Sequence, residues 1–193
     1  MTNLLIYDPE RSCGTLLRSY LRALGLRVST SDDAVEARMK LDTGLFDGIV
    51  LVSTEIAPAL GEIDASALAV MTMVGDRVEA ILPGGRRLSR PRQLSAIGDL
   101  ARRLRPEIET CPATAVAGEA NITCRAADVR MPSLLLEPER GDEARFSEFF
   151  SMRDRFTLQL GRGEAIDAEA RAVYIERNVS GAIERVAVRL NAA

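Results

Sequence analysis

The chain has 193 residues, 47% of them apolar and 27% charged, with a formal net charge of -3. This is an ordinary globular balance, the length allows one large core or two small ones, and the charge favours neither nucleic acid nor an anionic membrane as partner. There is no histidine, which excludes a Ser-His-Asp triad, a Cys-His pair, a His-ligated metal and histidine phosphotransfer.

Residues 4–7 form a short apolar run ahead of Asp8-Pro9-Glu10, as a buried strand does. Leu16, Leu17, Tyr20, Leu21 and Leu24 recur at helical spacing, and Gly25 stands where a helix stops. Leu26-Arg27-Val28 reads as a second strand. Ser31-Asp32-Asp33 reads as the cap of a second helix carrying Ala34, Val35, Ala37, Met39 and Leu41. Residues 48–52 make a third strand, and the alternation predicts a parallel sheet covered by helices. Residues 67–74 and 78–82 read as a fourth and a fifth strand, and Leu94, Ile97, Leu100, Ala101 and Leu104 as a closing amphipathic helix. The gaps around the fourth strand are short, so at least one helix, the fourth, is expected to be missing or reduced to a turn.

Of the 25 basic residues only Lys40 is a lysine. Arg86, Arg87, Arg90, Arg92, Arg102, Arg103 and Arg105 crowd the end of the first half, with Asp99 the acid among them. Two readings stay open: a solvated helix face plus a loop, or a patch for an anion or an acidic partner, since guanidiniums grip carboxylates and phosphates in bidentate fashion.

Pro106 and Pro112 bracket a linker, residues 107–111, beyond which alternating strands replace helix signals. Residues 121–124, 133–137, 155–160, 165–175 and 183–190 are strand-like, and about six antiparallel strands in this span predict a small closed or nearly closed barrel. The helix-prone insert 143–150 carries three of the five phenylalanines and reads as a plug for the barrel or its edge. Cys13, Cys111 and Cys124 fit neither a disulfide framework nor a CxxC metal site, so a reducing cytoplasm is expected. The apolar start is too short for a signal-peptide core, and no run approaches membrane-spanning length, so no membrane insertion is expected.

The segments 3–10, 16–28 and 46–52 resemble the response-regulator receiver domain. In that family a carboxylate pair holds a metal ion, an aspartate after the third strand takes a phosphoryl group, and a lysine contacts it. Here Pro9 stands at the second carboxylate position and Val52 at the acceptor. Arg90-Pro91 falls where the family carries Lys-Pro, an exchange that replaces a point charge with a planar fork. Thr72 falls at the position of the phosphate-sensing hydroxyl, and Asp8 and Glu10 read as solvated turn residues rather than a cation site. The second half resembles the PilZ domain, a six-stranded barrel best known as a cyclic di-GMP receptor. On that likeness residues 125–130 are the ligand loop, with Arg125 in place of the acid, Ala127 of the serine and Arg130 of the glycine. The resemblance also implies an RxxxR segment just before the barrel, and the match to it, Arg86–Arg90, lies well ahead.

The expected fold is therefore an α/β receiver-like domain over 1–107, a flavodoxin-like parallel sheet depleted of helices in its second half, followed over 112–193 by an all-β, six-stranded antiparallel PilZ-like barrel. The resemblances imply a non-enzymatic bacterial signalling adaptor, cytoplasmic and homodimeric, acting by protein–protein contact without metal or cofactor. The alternative is a cyclic di-GMP sensor that grips the dinucleotide through Arg86, Arg87, Arg90, Arg125 and Arg130 at the barrel loop and domain junction. No carboxylate spacing singles out an acid–base pair, so no enzyme is expected. Residues 1–110 carry 14 basic and 15 acidic side chains and residues 111–193 carry 11 and 13, without a basic stripe for nucleic acid.

Overall fold

The structure, a computed structural model, describes residues 2–53, 60–104, 111–130, 132–161 and 166–191. The chain divides into two compact units, Met1–Asp42 with Phe46–Glu107, and Thr43–Leu45 with Ile108–Ala193.

The first unit is built on a six-stranded sheet of order β2-β1-β3-β4-β5-β6. Its elements are β1 (Asn3–Tyr7), α1 (Gly14–Ala23), β2 (Arg27–Ser31), α2 (Ala34–Leu41), β3 (Gly48–Leu51), β4 (Ala69–Val74), β5 (Arg77–Ile81), β6 (Arg87–Pro91) and α3 (Leu94–Arg102). The first five places in that order are those of flavodoxin-like sheets. The expected parallel sheet is corrected to a mixed one: β1, β2, β3 and β4 run parallel, β5 turns back antiparallel to β4, and β6 runs antiparallel to β5.

The reason is the turn after β4. Val74 pairs with Arg77, leaving only Gly75 and Asp76 between the strands. Gly75 has φ 54 and Asp76 keeps a negative φ, the combination a type II′ hairpin needs. The fourth helix is thus replaced by a two-residue turn, as the short gap predicts. Between β3 and β4, the described residues 60–68 contain no α-helix. β6 itself had no signal in the sequence, since four of its five residues are exposed and only Leu88 is partly covered.

The core lies between the sheet and helices α1 and α3. Leu4, Ile6, Val50, Met71, Val78 and Ala80 meet Leu17, Leu21, Ile97 and Leu100 there. Gly98 lets the two helices approach, because a Cβ in its place would stand 2.6 Å from Leu24 Cδ1. The apolar stripe expected for α1 is narrower in fact: Leu17 and Leu21 are buried, but Leu16 is exposed. α2 packs on β1 and β2, burying Ala37 and leaving Val35 and Met39 in solvent, against the expected pattern.

The second unit is a closed barrel of order β10-β11-β12-β9-β8-β7. It comprises β7 (Cys111–Ala117), β8 (Ala120–Arg130), β9 (Ser133–Pro138), α4 (Glu143–Met152), β10 (Arg155–Leu160), β11 (Ile166–Arg177) and β12 (Ile183–Leu190), every pair antiparallel. Cys111 and Pro112, read as linker and its boundary, are the first two residues of β7. Closure leaves no unpaired edge, which removes the main liability of a small sheet.

α4 supplies the aromatic part of the barrel core, in keeping with its reading as a plug. It packs on β8 and β12, and Phe146, Phe149 and Phe150 are all buried. Phe150 meets Phe156 edge to face at 5.2 Å between centroids. Such contacts add about 0.5–1.5 kcal/mol beyond the burial of the rings.

Candidate functional site

In open α/β sheets ligands bind beyond the carboxyl ends of the strands, where the strand order reverses. Here that point lies between β1 and β3, at Asp8 and Val52. Val52 donates its N–H to the Tyr7 carbonyl at 3.0 Å, and its side chain joins the core with Val50. It offers no oxygen to a ligand. Asp8 is neither solvated nor poised as a ligand, contrary to the expected turn residue. Its carboxylate accepts the N–H of Cys13 at 2.9 Å and of Gly14 at 2.6 Å, and the Ser12 hydroxyl at 3.2 Å. Burial works to raise its pKa, but the bonds from Cys13, Gly14 and Ser12 outweigh it and hold the carboxyl below its usual value. The Cys13 side chain does not cap α1; Asp8 does that work. Glu10 is exposed.

A crevice of about 230 Å³ opens beside Asp8, with Arg11 and Asp32 ion-paired in its wall. Lys40 is also committed. It is buried, with Nζ 2.8 Å from the Thr30 carbonyl and 2.9 Å from Glu36 Oε1, and Glu36 accepts the Ser31 hydroxyl at 2.5 Å. Sequence alone placed Lys40 on a helix but gave no sign that it is buried.

The arginines expected at a binding site fall into two groups. Arg87 and Arg90 lie on β6, with Arg86 just before it and Arg92 just after. Arg86, Arg87 and Arg90 are exposed and, among the described residues, their guanidiniums have no hydrogen bond or ion pair within the chain. The expected helix face plus loop is therefore corrected in part: Arg87 and Arg90 stand on an edge strand, while Arg102 and Arg103 close α3. Arg105 lies outside the described residues.

Arg125 and Arg130 lie within β8, not on a loop. The alternation that marks a strand is broken there by a bulge at Ala127, between the pairs Ala126–Leu136 and Asp128–Leu135. Each arginine is already engaged. Arg125 Nη2 lies 2.6 Å from Glu137 Oε2, and Arg130 grips Asp128 through two bonds of 3.0 Å. Asp128 is 1% exposed. A phosphate taking over the Arg130 fork would displace Asp128 and leave a buried charge unpaired, whereas Arg125 makes a single contact and is half exposed.

Of the remaining chemistry-bearing groups, the three cysteines are free thiols. Burial, reinforced by Glu139, pushes the Cys124 thiol up to about 12, which leaves it without nucleophilic character at neutral pH. Among the described residues no three His, Cys, Asp or Glu side chains gather as a metal site, and no helix is long and apolar enough to cross a membrane.

A further concavity lies on the sheet itself. β4, β5 and β6 present Val70, Thr72, Ile81, Glu79, Arg87 and Ser89 around a groove of about 420 Å³. α3 packs on β5 from the opposite, core face. Thr72 thus faces this groove, opposite Glu79 in the ladder.

No family model and no curated protein sequence matches the chain. Among solved structures it is similar at 8% identity to a protein of Bacillus anthracis str. Sterne provisionally described as a diacylglycerol kinase, over 98% of this chain and 94% of that one, with a TM-score of 0.25. A likeness at that level carries no argument about fold or function.

Proposed function

We propose that this protein is a non-enzymatic bacterial signalling adaptor, self-associating and acting by protein–protein contact, with a receiver-like first unit and a PilZ-like barrel as its second. The observation that carries this reading is Val52 at the switch point of the first sheet. A receiver that keeps the strand order but places a buried valine at the acceptor position has no oxygen to phosphorylate there. Asp8 and Lys40 support it in the same sense, because both are held by internal hydrogen bonds. The exposed arginines of the β6 edge are the surface best suited to a partner.

Incubation with a small phosphodonor such as acetyl phosphate and Mg²⁺, followed by intact-mass spectrometry, tests the reading. The expected result is an unchanged mass. A stable adduct of one phosphoryl group removes the receiver half of the proposal. Sedimentation velocity over a concentration series tests self-association, and a monomer throughout removes that part.

A further inference from the structure

β6 is the last strand of its sheet, and among the described residues it pairs on one side only, with β5. The parity of that ladder decides which backbone groups remain. Leu82 donates to the Arg86 carbonyl at 2.9 Å and Arg92 to the Asp76 carbonyl at 2.6 Å. Antiparallel ladders alternate between bonded and non-bonded pairs. The even positions from Arg86 to Arg92 therefore bond inward to β5. The N–H and C=O groups of Arg87 and Ser89, and the C=O of Pro91, point outward to the open edge.

Edges of this kind are templates for another strand, and proteins ordinarily blunt them with charge and proline. Here the charge has one sign. The register sets Arg87 opposite Ile81 and Arg90 opposite Val78. Side chains alternate across a strand, so Arg87 stands on the groove side of the sheet and Arg90 on the core side. An incoming strand meets a guanidinium on either side of its backbone. A second copy of β6 is the wrong occupant, because antiparallel pairing would gather Arg86, Arg87, Arg90 and Arg92 of both copies within a few residues. An acidic strand is the right one, since each guanidinium can take a carboxylate in bidentate fashion.

We propose that the β6 edge is a strand-addition site for an extended, acidic segment of a partner protein, which pairs with Arg87 and Ser89 through its backbone and meets Arg87 and Arg90 with its carboxylates. This mode draws its affinity from main-chain bonds and its selectivity from alternate side chains. On the groove side, apolar or small side chains of the segment fit against Ile81 and Ser89, with the Ser89 hydroxyl held by Arg77 Nε at 2.6 Å. The inference rests on the reading of the chain as an interaction protein and names the kind of partner.

The probe is a fluorescein-labelled peptide of two Glu-Glu-Val-Val repeats, which sets carboxylates three residues apart on opposite faces as Arg87 and Arg90 are, titrated with the full chain and followed by anisotropy at low salt. Saturable binding is expected, at least tenfold weaker for the matching Lys-Lys-Val-Val peptide. N-methylation of alternate peptide bonds of the acidic peptide removes main-chain donors without changing charge, and is expected to weaken binding at least tenfold in one of its two phases. On the protein side, Ser89→Pro deletes one outward N–H and leaves the inward ladder to β5 intact, with a similar loss expected. If Ser89→Pro does not fold, the methylated peptides still decide. Absence of binding by the acidic peptide overturns the inference, and so does binding that both N-methylated forms retain, which would mean mere charge attraction. Neither result touches the adaptor reading, whose own tests are the phosphodonor and sedimentation experiments above.

Discussion

Gly14 and Asp8 fit each other twice over. The Gly14 N–H reaches Asp8 Oδ2 at 2.6 Å, and a side-chain carbon on Gly14 would stand 3.0 Å from that same oxygen. The Asp8 carboxylate is seated against the start of α1, where the helix dipole and two backbone donors hold it.

Asp8→Ala leaves those two donors without an acceptor. The expected loss is about 2 kcal/mol, from the cost of a missing cap in a buried setting. Gly14→Ala keeps the acceptor but crowds it, with an expected loss of about 1 kcal/mol. Urea denaturation followed by far-ultraviolet circular dichroism measures both, in the transition of the first unit. A neutral Asp8→Ala would show that α1 needs no cap.

The same site gives a pH signature. The folded-state pKa of Asp8 lies below its ordinary value of 3.8. A carboxylate depressed by folding contributes stability that is fully present above the unfolded value and lost as pH falls through the folded one. The stability difference between the wild type and Asp8→Asn is therefore expected to be constant from neutral pH down to about 5 and to shrink below about 4. A difference that stays constant into that acid range would mean that Asp8 is not the group responsible.

The two β8 arginines are expected to differ in weight. Arg125→Ala removes a half-exposed pair and should cost under about 1 kcal/mol. Arg130→Ala strands the buried Asp128 carboxylate and should cost about 2 kcal/mol or more. Equal losses in thermal or urea melts would contradict this assignment.

Both arginines being engaged also bears on cyclic di-GMP. Calorimetric titration of the full chain with the dinucleotide at moderate salt is expected to give no heat and no shift in melting temperature. Binding in the micromolar range that Arg125→Ala and Arg130→Ala abolish would instead make the protein a sensor.

The barrel depends on α4. Phe146 and Phe150 are nearly inaccessible, and truncating either to alanine is expected to cost about 3–5 kcal/mol. Loss of the barrel transition in a urea melt of Phe150→Ala, with the first unit's transition kept, is the expected outcome. An unchanged barrel transition would mean that the aromatic cluster is dispensable.

Local periodicity in the sequence determined most of the elements. The spacing of Leu17 and Leu21 made α1, the apolar runs made β1 and β3, and strict alternation made β10. It also foretold the lost fourth helix, because the few residues between the fourth and fifth strands cannot hold one, and the packing of the α4 phenylalanines into the barrel. Tertiary structure alone decided the direction of β5 and the existence of β6, since an exposed edge strand leaves no apolar pattern to read. It decided that residues 125–130 are strand, where a bulge at Ala127 disrupts the alternation that would have shown it. It also decided that Asp8 caps a helix, that Lys40 is buried and that Arg130 belongs to Asp128. In each case a polar group takes its partner from whatever the folded backbone brings within hydrogen-bond reach, and neither composition nor spacing specifies that choice.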